Sequence, residues 1–182
     1  MGRVIFHVDV NSAFLSWEAV YRLYHLGGKV DLRTQVAAVG GDMAMRHGII
    51  LAKSIPAKKY HIQTGETILE AKQKCPDLLL VPPNYSLYEQ CSKAFMEVLL
   101  QYSPDVEQYS VDEAFIDMSG TDKLWGDPVT AANRIRSQIK EELGFTVNIG
   151  VSENKLLAKM ASDFQKPDRV HTLWREEIPA KM

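Results

Sequence analysis

The sequence predicts an α+β fold in which a ferredoxin-like split βαβ sheet, with helices on one face, carries a small α/β insertion. The predicted elements follow the order strand, helix, insertion, helix, hairpin, helix and strand. Strand segments are continuously apolar or alternate with polar residues, whereas helical segments repeat their apolar residues every three or four positions. The insertion, about residues 31–83, has short strands of its own that are bounded by Gly and Pro.

The first strand and helix follow one another closely. Residues 4–8, VIFHV, are nearly all apolar, as expected for a strand buried on both faces, and the strand ends at Asp9. Ser12 or Asn11 can cap the helix that follows, and the glycine pair at 27–28 can end it. Asp9 is therefore expected to lie where a buried strand leads into a helix.

The insertion contains short β-segments and one helix. Gly40 and Gly41 begin a polar loop between its first two strands, and Pro76 stops the helix. The predicted segments are strands over 34–40, 48–54 and 77–82 and a helix over 67–75.

The second half of the chain alternates amphipathic helices with strands. The apolar runs VEQYSV and AFIDMS meet at Asp112 and Glu113, which predicts a hairpin with an acidic pair at its turn. The predicted segments are helices over 85–102, 128–143 and 154–164 and strands over 106–111, 114–119, 145–152 and 169–174.

Two acidic positions stand out against the strand pattern, because Asp and Glu are poor strand residues. Taken by themselves, Asp112 and Glu113 would indicate only a turn that is exposed to solvent. Asp9 is a second acidic position at the end of a buried strand, and carboxylates held together repel unless a cation or a proton compensates them. Mg²⁺ takes oxygen ligands, often one or two carboxylates together with substrate phosphates. The three residues can form such a site if the fold brings them together.

The composition is that of an ordinary globular protein, with 46% hydrophobic and 24% charged residues. The net charge of −2 argues against strong DNA affinity of this chain alone, because counterion release requires many Lys and Arg contacts. Cys75 and Cys91 lack the number and spacing of a disulfide framework or a metal site, which indicates a reducing compartment. With no signal-peptide pattern and no apolar run long enough to span a membrane, we expect a cytoplasmic protein.

Five segments together form a specific set: HVDVNSAFLSWE, RHGIILAKSIPAKKYHIQTGE, CPDLLLVPPNYSLYEQCS, YSVDEAFIDMSG and GVSENKLLAKMASDFQKP. In content and order they resemble the Y-family translesion DNA polymerases of the DinB and UmuC type. The resemblance implies a palm formed by residues 1–30 and 84–182 and fingers formed by residues 31–83. It also implies that the thumb and little finger are absent, so we expect a fragment that polymerises weakly or not at all by itself.

The family reaction implied by this resemblance joins a primer 3′-hydroxyl to the α-phosphate of a deoxynucleoside triphosphate, with low fidelity, in DNA damage tolerance and the SOS response. Primer-template DNA and deoxynucleoside triphosphates are the implied substrates. Two Mg²⁺ ions, replaceable by Mn²⁺, are implied at the carboxylates of Asp9, Asp112 and Glu113 and the carbonyl of Val10. The three carboxylates are the implied catalytic groups, and a sliding clamp is an implied partner of the missing C-terminal region.

Further residues match positions that bind the nucleotide in the family. Phe14 corresponds to the aromatic residue that excludes a ribose 2′-hydroxyl, and Lys58 and Lys166 correspond to residues that contact the triphosphate. Lys58 stands where the family usually has Arg, which weakens bidentate phosphate geometry. Ile55 replaces a phosphate-binding Tyr in many members, and Ser54 beside it is a candidate for the lost hydrogen bond.

Two other functions are compatible with parts of the sequence. The triplet GGD, Gly40 to Asp42, superficially resembles a signature of nucleotide cyclases, although three residues form a weak motif. A non-catalytic DNA-binding or interaction module is the other alternative. A cyclase acts on a nucleotide without template DNA, which distinguishes it from a polymerase, and the net charge of −2 argues against an independent DNA-binding module.

Overall fold

The structure is a computed structural model that describes residues 2–41 and 48–182. Its contacts divide the chain into two units, Met1–Asn11 with Gln90–Met182 and Ser12–Glu89. The helices and strands are, in chain order, β1 (Ile5–Val10), α1 (Ala13–Tyr24), β2 (Ala37–Gly40), β3 (Ile50–Lys53), α2 (Ile55–Lys58), α3 (Ile68–Lys74), β4 (Leu79–Val81), α4 (Tyr85–Leu100), β5 (Val106–Ser110), β6 (Glu113–Asp117), α5 (Asp122–Trp125), α6 (Pro128–Leu143), β7 (Val147–Ser152), α7 (Lys155–Ser162), β8 (Val170–Thr172) and α8 (Ile178–Lys181).

The first unit contains a five-stranded sheet in the order β5-β6-β1-β7-β8. β1 lies at its centre and pairs antiparallel with both β6 and β7, whereas β8 joins β7 in parallel. The order β7-β1-β6-β5 is the order of a split βαβ sheet, to which β8 is added at one edge. The predicted fold class is confirmed.

Helices cover both faces of this sheet, so the prediction of helices on one face is wrong. Side chains alternate between the faces along a strand. His7 and its register partner Gly150 face α7, because the His7 ring contacts Ser162 of that helix. Phe6 points to the other face, where it lines a cavity together with Ala131 of α6. The prediction counted the helices of the split βαβ unit and did not assign α7 to the opposite face.

Gly150 allows α7 to pack directly on the central strands. A Cβ atom at this position would lie 1.8 Å from the carbonyl oxygen of Ala158 and 2.5 Å from the backbone nitrogen of Ser162. Both atoms belong to backbone, which cannot move aside as a flexible side chain can. The close approach fixes α7, and the segment that follows it, against β7.

The second unit contains a three-stranded sheet in the order β3-β2-β4, with β2 antiparallel to β3 and parallel to β4. One face packs on residues of α1 such as Leu15, and the other packs on residues of α3 such as Ala71. The predicted polar loop between β2 and β3 includes residues 42–47, which lie outside the described residues, as does the Asp42 of the GGD triplet.

Some helix ends lie where the sequence predicts them, and others do not. α6 begins at Pro128 and ends before Gly144, whose φ of 85° is the left-handed conformation that glycine favours. α1 instead ends at Tyr24, before the glycine pair, and Ser12 is not the side-chain cap, because it has a φ of 44° and makes no side-chain cap bond. Across the described ranges 2–41 and 48–182, no helix is both long and apolar enough to cross a membrane.

Candidate active site

The three predicted carboxylates lie at one end of the β1–β6 strand pair. Asp9 and Glu113 are direct register partners, and the backbone N–H of Val10 donates to the carbonyl of Asp112 over 3.0 Å. The hydroxyl of Ser110 lies 2.9 Å from Oδ1 of Asp112 and 3.1 Å from Oε2 of Glu113. The hairpin turn thus brings Asp112 and Glu113 to the strand that carries Asp9, as the sequence predicted.

Two lysines supply positive charge to this cluster. Nζ of Lys166 donates to Oδ2 of Asp9 at 2.5 Å and also contacts Asp163 at 3.1 Å. Nζ of Lys159, on α7, lies 3.4 Å from Oε1 of Glu113. These cations reduce the repulsion among the carboxylates, since an opposite charge within 4 Å favours the ionised form.

Burial nevertheless dominates the titration of two of the carboxyl groups. It raises the pKa of Asp9 from 3.8 to about 6, and the hydrogen bond from Lys166 offsets only part of this effect. Burial also raises the pKa of Asp112, and the nearby Glu113 adds to the increase. For Lys166, burial disfavours the charged ammonium, but the contacts with Asp9 and Asp163 outweigh it and raise the pKa. The positive charge of Lys166 therefore does not fully compensate the negative charge of the ionised carboxylates.

His7 is a component of the site that sequence reasoning missed. Its ring is buried, with Nε2 3.1 Å from Oε1 of Glu113 and Nδ1 2.8 Å from Oγ of Ser162. Burial lowers its pKa, although Glu113 acts in the opposite direction. A carboxylate oxygen only accepts, so Nε2 carries the proton that is donated to Glu113, while the hydroxyl of Ser162 donates to the carbonyl of Lys159 at 2.7 Å. The sequence does contain a signal, because His7 lies two positions before Asp9 and hence on the same face of β1.

The donor set has the chemistry that a hard divalent cation requires, namely carboxylate oxygens at the end of a strand pair. Among the side chains that the structure describes, no three His, Cys, Asp or Glu residues converge closely enough to hold a metal ion as they stand. Here the counter-charge comes from Lys166 and Lys159. The residues fit a divalent cation by donor type, and Asp9, Asp112 and Glu113 are the ones that would hold it.

Phe14 belongs to the second unit, in which it lies in an aromatic cluster. Its ring stacks on that of Tyr88 with centroids 4.4 Å apart and planes 8° apart. The Tyr88 hydroxyl donates to Oε1 of the buried Glu18 at 2.8 Å, and this contact fixes the ring on which Phe14 rests. Phe14 is half-buried and also packs against the core cluster that contains Leu15 and Val39.

Ser54 and Lys58 mark the two ends of the short helix α2 in the second unit. The Ser54 hydroxyl donates to the carbonyl of Gln35 at 2.6 Å and accepts from the N–H groups of Ala37 and Ala57. Ser54 is buried, so a phosphate contact would require these bonds to be given up. Lys58 ends the helix, and together with burial it lowers the pKa of Lys53.

The fold of the chain is that of solved Y-family DNA polymerases. A Y-family DNA polymerase chimera superposes with a TM-score of 0.83 at 25% identity, over 97% of this chain and 50% of the chimera. DinB from Sulfolobus solfataricus superposes with a TM-score of 0.84, also at 25% identity, over 97% of this chain and 50% of DinB. The class of protein that the sequence resembled is therefore confirmed.

The chain belongs to the impB/mucB/samB family, which matches residues 8–163. It is 51% identical to a DNA polymerase IV of Clostridium acetobutylicum over 100% of this chain and 46% of that protein. The chain thus spans about half the length of the curated relatives and solved structures that it matches. The matched segment includes Asp9, Asp112 and Glu113.

Proposed function

We propose that this chain forms the palm and fingers of a template-directed DNA polymerase that acts in translesion synthesis. Residues 1–30 and 84–182 are the proposed palm, and residues 31–83 are the proposed fingers. The proposed substrates are primer-template DNA and deoxynucleoside triphosphates. The proposal is supported by membership of the impB/mucB/samB family and by relatives that are named DNA polymerase IV.

A single structural observation carries the proposal. Asp9 and Glu113 face each other across β1 and β6, and Asp112 lies on the adjoining turn. Burial raises the pKa values of Asp9 and Asp112, so this arrangement costs stability when the groups are ionised. A cluster of carboxylates whose charges are under-compensated is suited to binding cations together with substrate phosphates.

In this proposal Asp9, Asp112, Glu113 and the carbonyl of Val10 hold two Mg²⁺ ions. When bound, these ions supply charge stabilisation to the attacking and leaving oxygens of nucleotidyl transfer. Lys166 remains protonated at neutral pH because its pKa is raised. Lys166 exchanges its contact with Asp9 for a phosphate oxygen of the incoming nucleotide, which is a charge-assisted hydrogen bond of the same kind.

For three residues of the second unit, the proposed contacts with the nucleotide rest on the family resemblance alone. Phe14 contacts the sugar with the ring face that Tyr88 does not cover, and so excludes a 2′-hydroxyl. Lys58 contributes positive charge to the triphosphate, and burial and the nearby charge of Lys58 lower the pKa of Lys53. Ser54 supports this site through its cap of the helix that carries Lys58, and its direct phosphate contact stays a prediction. A sliding clamp is the proposed partner of the complete polymerase.

A chimera tests the proposal without any assumption about the remainder of the protein. This chain replaces the matching part of Clostridium acetobutylicum DNA polymerase IV, which is 46% of that protein. We expect Mg²⁺-dependent, template-directed primer extension by the chimera. We expect the double substitution Asp112→Ala, Glu113→Ala to reduce the rate by about a thousandfold or more, because the groups that hold the metal ions are removed.

Asp117 provides a matched control. It lies at the far end of β6, where its carboxylate accepts a hydrogen bond from the N–H of Ser119 at 2.9 Å. Asp117→Asn should leave the extension rate unchanged. Extension that survives the double substitution, or a chimera that is inactive while the parent polymerase extends the same primer, would show the proposal to be wrong.

A further inference from the structure

A buried hydrogen-bond network surrounds the segment that carries Lys166. Asn148, on β7, is fully buried, and its amide nitrogen donates to the carbonyls of Ser162 at 3.0 Å and Gln165 at 2.7 Å. Its amide oxygen accepts from Arg169 N–H at 3.3 Å and from Nδ2 of Asn11 at 3.2 Å. Both donors and both acceptor positions of this side chain are therefore used.

Asn11 extends the network to the other side of the same segment. Its Oδ1 accepts from the N–H of Asp168 at 3.0 Å and from the hydroxyl of Thr146 at 2.9 Å. The carboxylate of Asp168 is in turn held by Nη1 of Arg136 at 2.6 Å and Nζ of Lys140 at 2.9 Å. The segment is anchored at the residue before Lys166 and at the second and third residues after it.

A physical reason explains why the anchoring hydrogen bonds are made by residues on either side of Lys166. Pro167 follows it and has no N–H group to donate, and the Lys166 ammonium is needed at Asp9. The backbone on either side must therefore supply the contacts that fix this turn. A carboxylate at position 148 could not replace the amide, because an ionised Asp has no donor for the carbonyls of Ser162 and Gln165.

We propose that Asn148 and Asn11 are positioning residues that hold residues 165–169 and thereby keep Lys166 directed at the triphosphate. This inference rests on the proposed function of Lys166 and extends it to two residues that act on Lys166 through the backbone of its segment. It predicts that removal of either amide increases the motion of residues 165–169. It also predicts that this removal lowers kcat/KM for the nucleotide only when Lys166 is present.

Hydrogen exchange of this chain tests the anchoring without any reference to catalysis. We expect Asn148→Ala to accelerate exchange of the Asp168 and Arg169 amides by about tenfold, because the variant loses several hydrogen bonds that hold this segment. Asn11→Ala, which leaves Asn148 in place, should accelerate the Asp168 amide. Ser152→Ala is the matched control, because Ser152 is a buried polar residue of the same strand that bonds instead to the carbonyl of Leu173 at 2.6 Å. Unchanged exchange in both Asn variants would overturn the proposal.

Nucleotide kinetics of the chimera test the consequence for Lys166. Lys166→Ala should lower kcat/KM for the deoxynucleotide by about tenfold or more, because a charge-assisted contact is lost. Asn148→Ala should lower it by a smaller factor, and the double variant should be no worse than Lys166→Ala alone. Additive losses of kcat/KM would overturn the positioning role. A Lys166→Ala variant with normal kinetics would refute the proposed function of Lys166, and the hydrogen-exchange result would then decide whether the segment is anchored. Ser152→Ala should leave kcat/KM unchanged.

Discussion

Substitution of Asp9 by Asn should stabilise the metal-free chain at neutral pH. The pKa of Asp9 is 3.8 for the ordinary carboxyl and about 6 in the fold, so the folded chain binds this proton more tightly than the unfolded chain. Its contribution to stability is present below about pH 4 and is lost as the pH rises through about 6. A difference of about two pKa units corresponds to about 3 kcal/mol of unfolding free energy.

Urea denaturation of both proteins between pH 4 and 7.5 measures this contribution. At pH 4, Asp9 is largely neutral in the folded state and resembles Asn, so the two unfolding free energies should nearly coincide. At pH 7.5, Asp9→Asn should be more stable by about 3 kcal/mol. A variant that is less stable than the parent at pH 7.5, or a difference that does not change with pH, would refute the argument that burial dominates at Asp9.

Asp168 is a control in which the expected sign is opposite. Burial raises the pKa of Asp168, but Arg136 and Lys140 outweigh it and hold the pKa below its usual range. Its ionised form therefore stabilises the fold above the unfolded pKa, and this contribution is lost as the pH falls through the lowered folded pKa. Asp168→Asn should thus be destabilised at pH 7.5 and should approach the parent in stability only at low pH.

Three further predictions concern packing and sugar selection. Gly150→Ala should destabilise the chain by more than about 4 kcal/mol in urea denaturation, because its Cβ would overlap backbone atoms, whereas Gly2→Ala, with no heavy atom within 4 Å, should be neutral. Tyr88→Phe should cost about 1–3 kcal/mol, since the buried Glu18 loses a hydrogen bond, and unchanged stability would contradict this. Phe14→Ala in the chimera should raise ribonucleotide incorporation by about tenfold or more, as measured with matched ribo- and deoxynucleotides; unaltered sugar selectivity would exclude the proposed role.

The fold could be predicted from the sequence because its elements have strong local signals. The helix over 128–143 has the predicted bounds, with Pro128 at its first turn and Gly144 after its last. The acidic hairpin was also predictable, since two β-type runs flank Asp112 and Glu113. The position of α7 on the second face depends on the close approach at Gly150, and this contact joins atoms that no local pattern relates.

The charges that complete the site could not be predicted as contacts from the sequence. Lys166 lies 157 residues after Asp9, and its resemblance to a phosphate-binding lysine gave no indication that it pairs with Asp9. His7 was overlooked because it lies in an otherwise apolar strand, where hydrophobic burial explains the pattern well. The resemblance suggested side chains for contact with substrate, but not the hydrogen bonds that orient them, because those bonds depend on tertiary structure.

Asn148 and Asp9 are two polar residues whose burial is compensated to different degrees. Both lie on buried strands where an apolar residue would be expected. The neutral Asn148 amide has a protein partner for every donor and acceptor position, so its burial is compensated within the chain. Asp9 keeps a raised pKa even with Lys166 beside it, so its burial is not compensated. This uncompensated negative charge is the reason why the proposed function assigns a cation to Asp9.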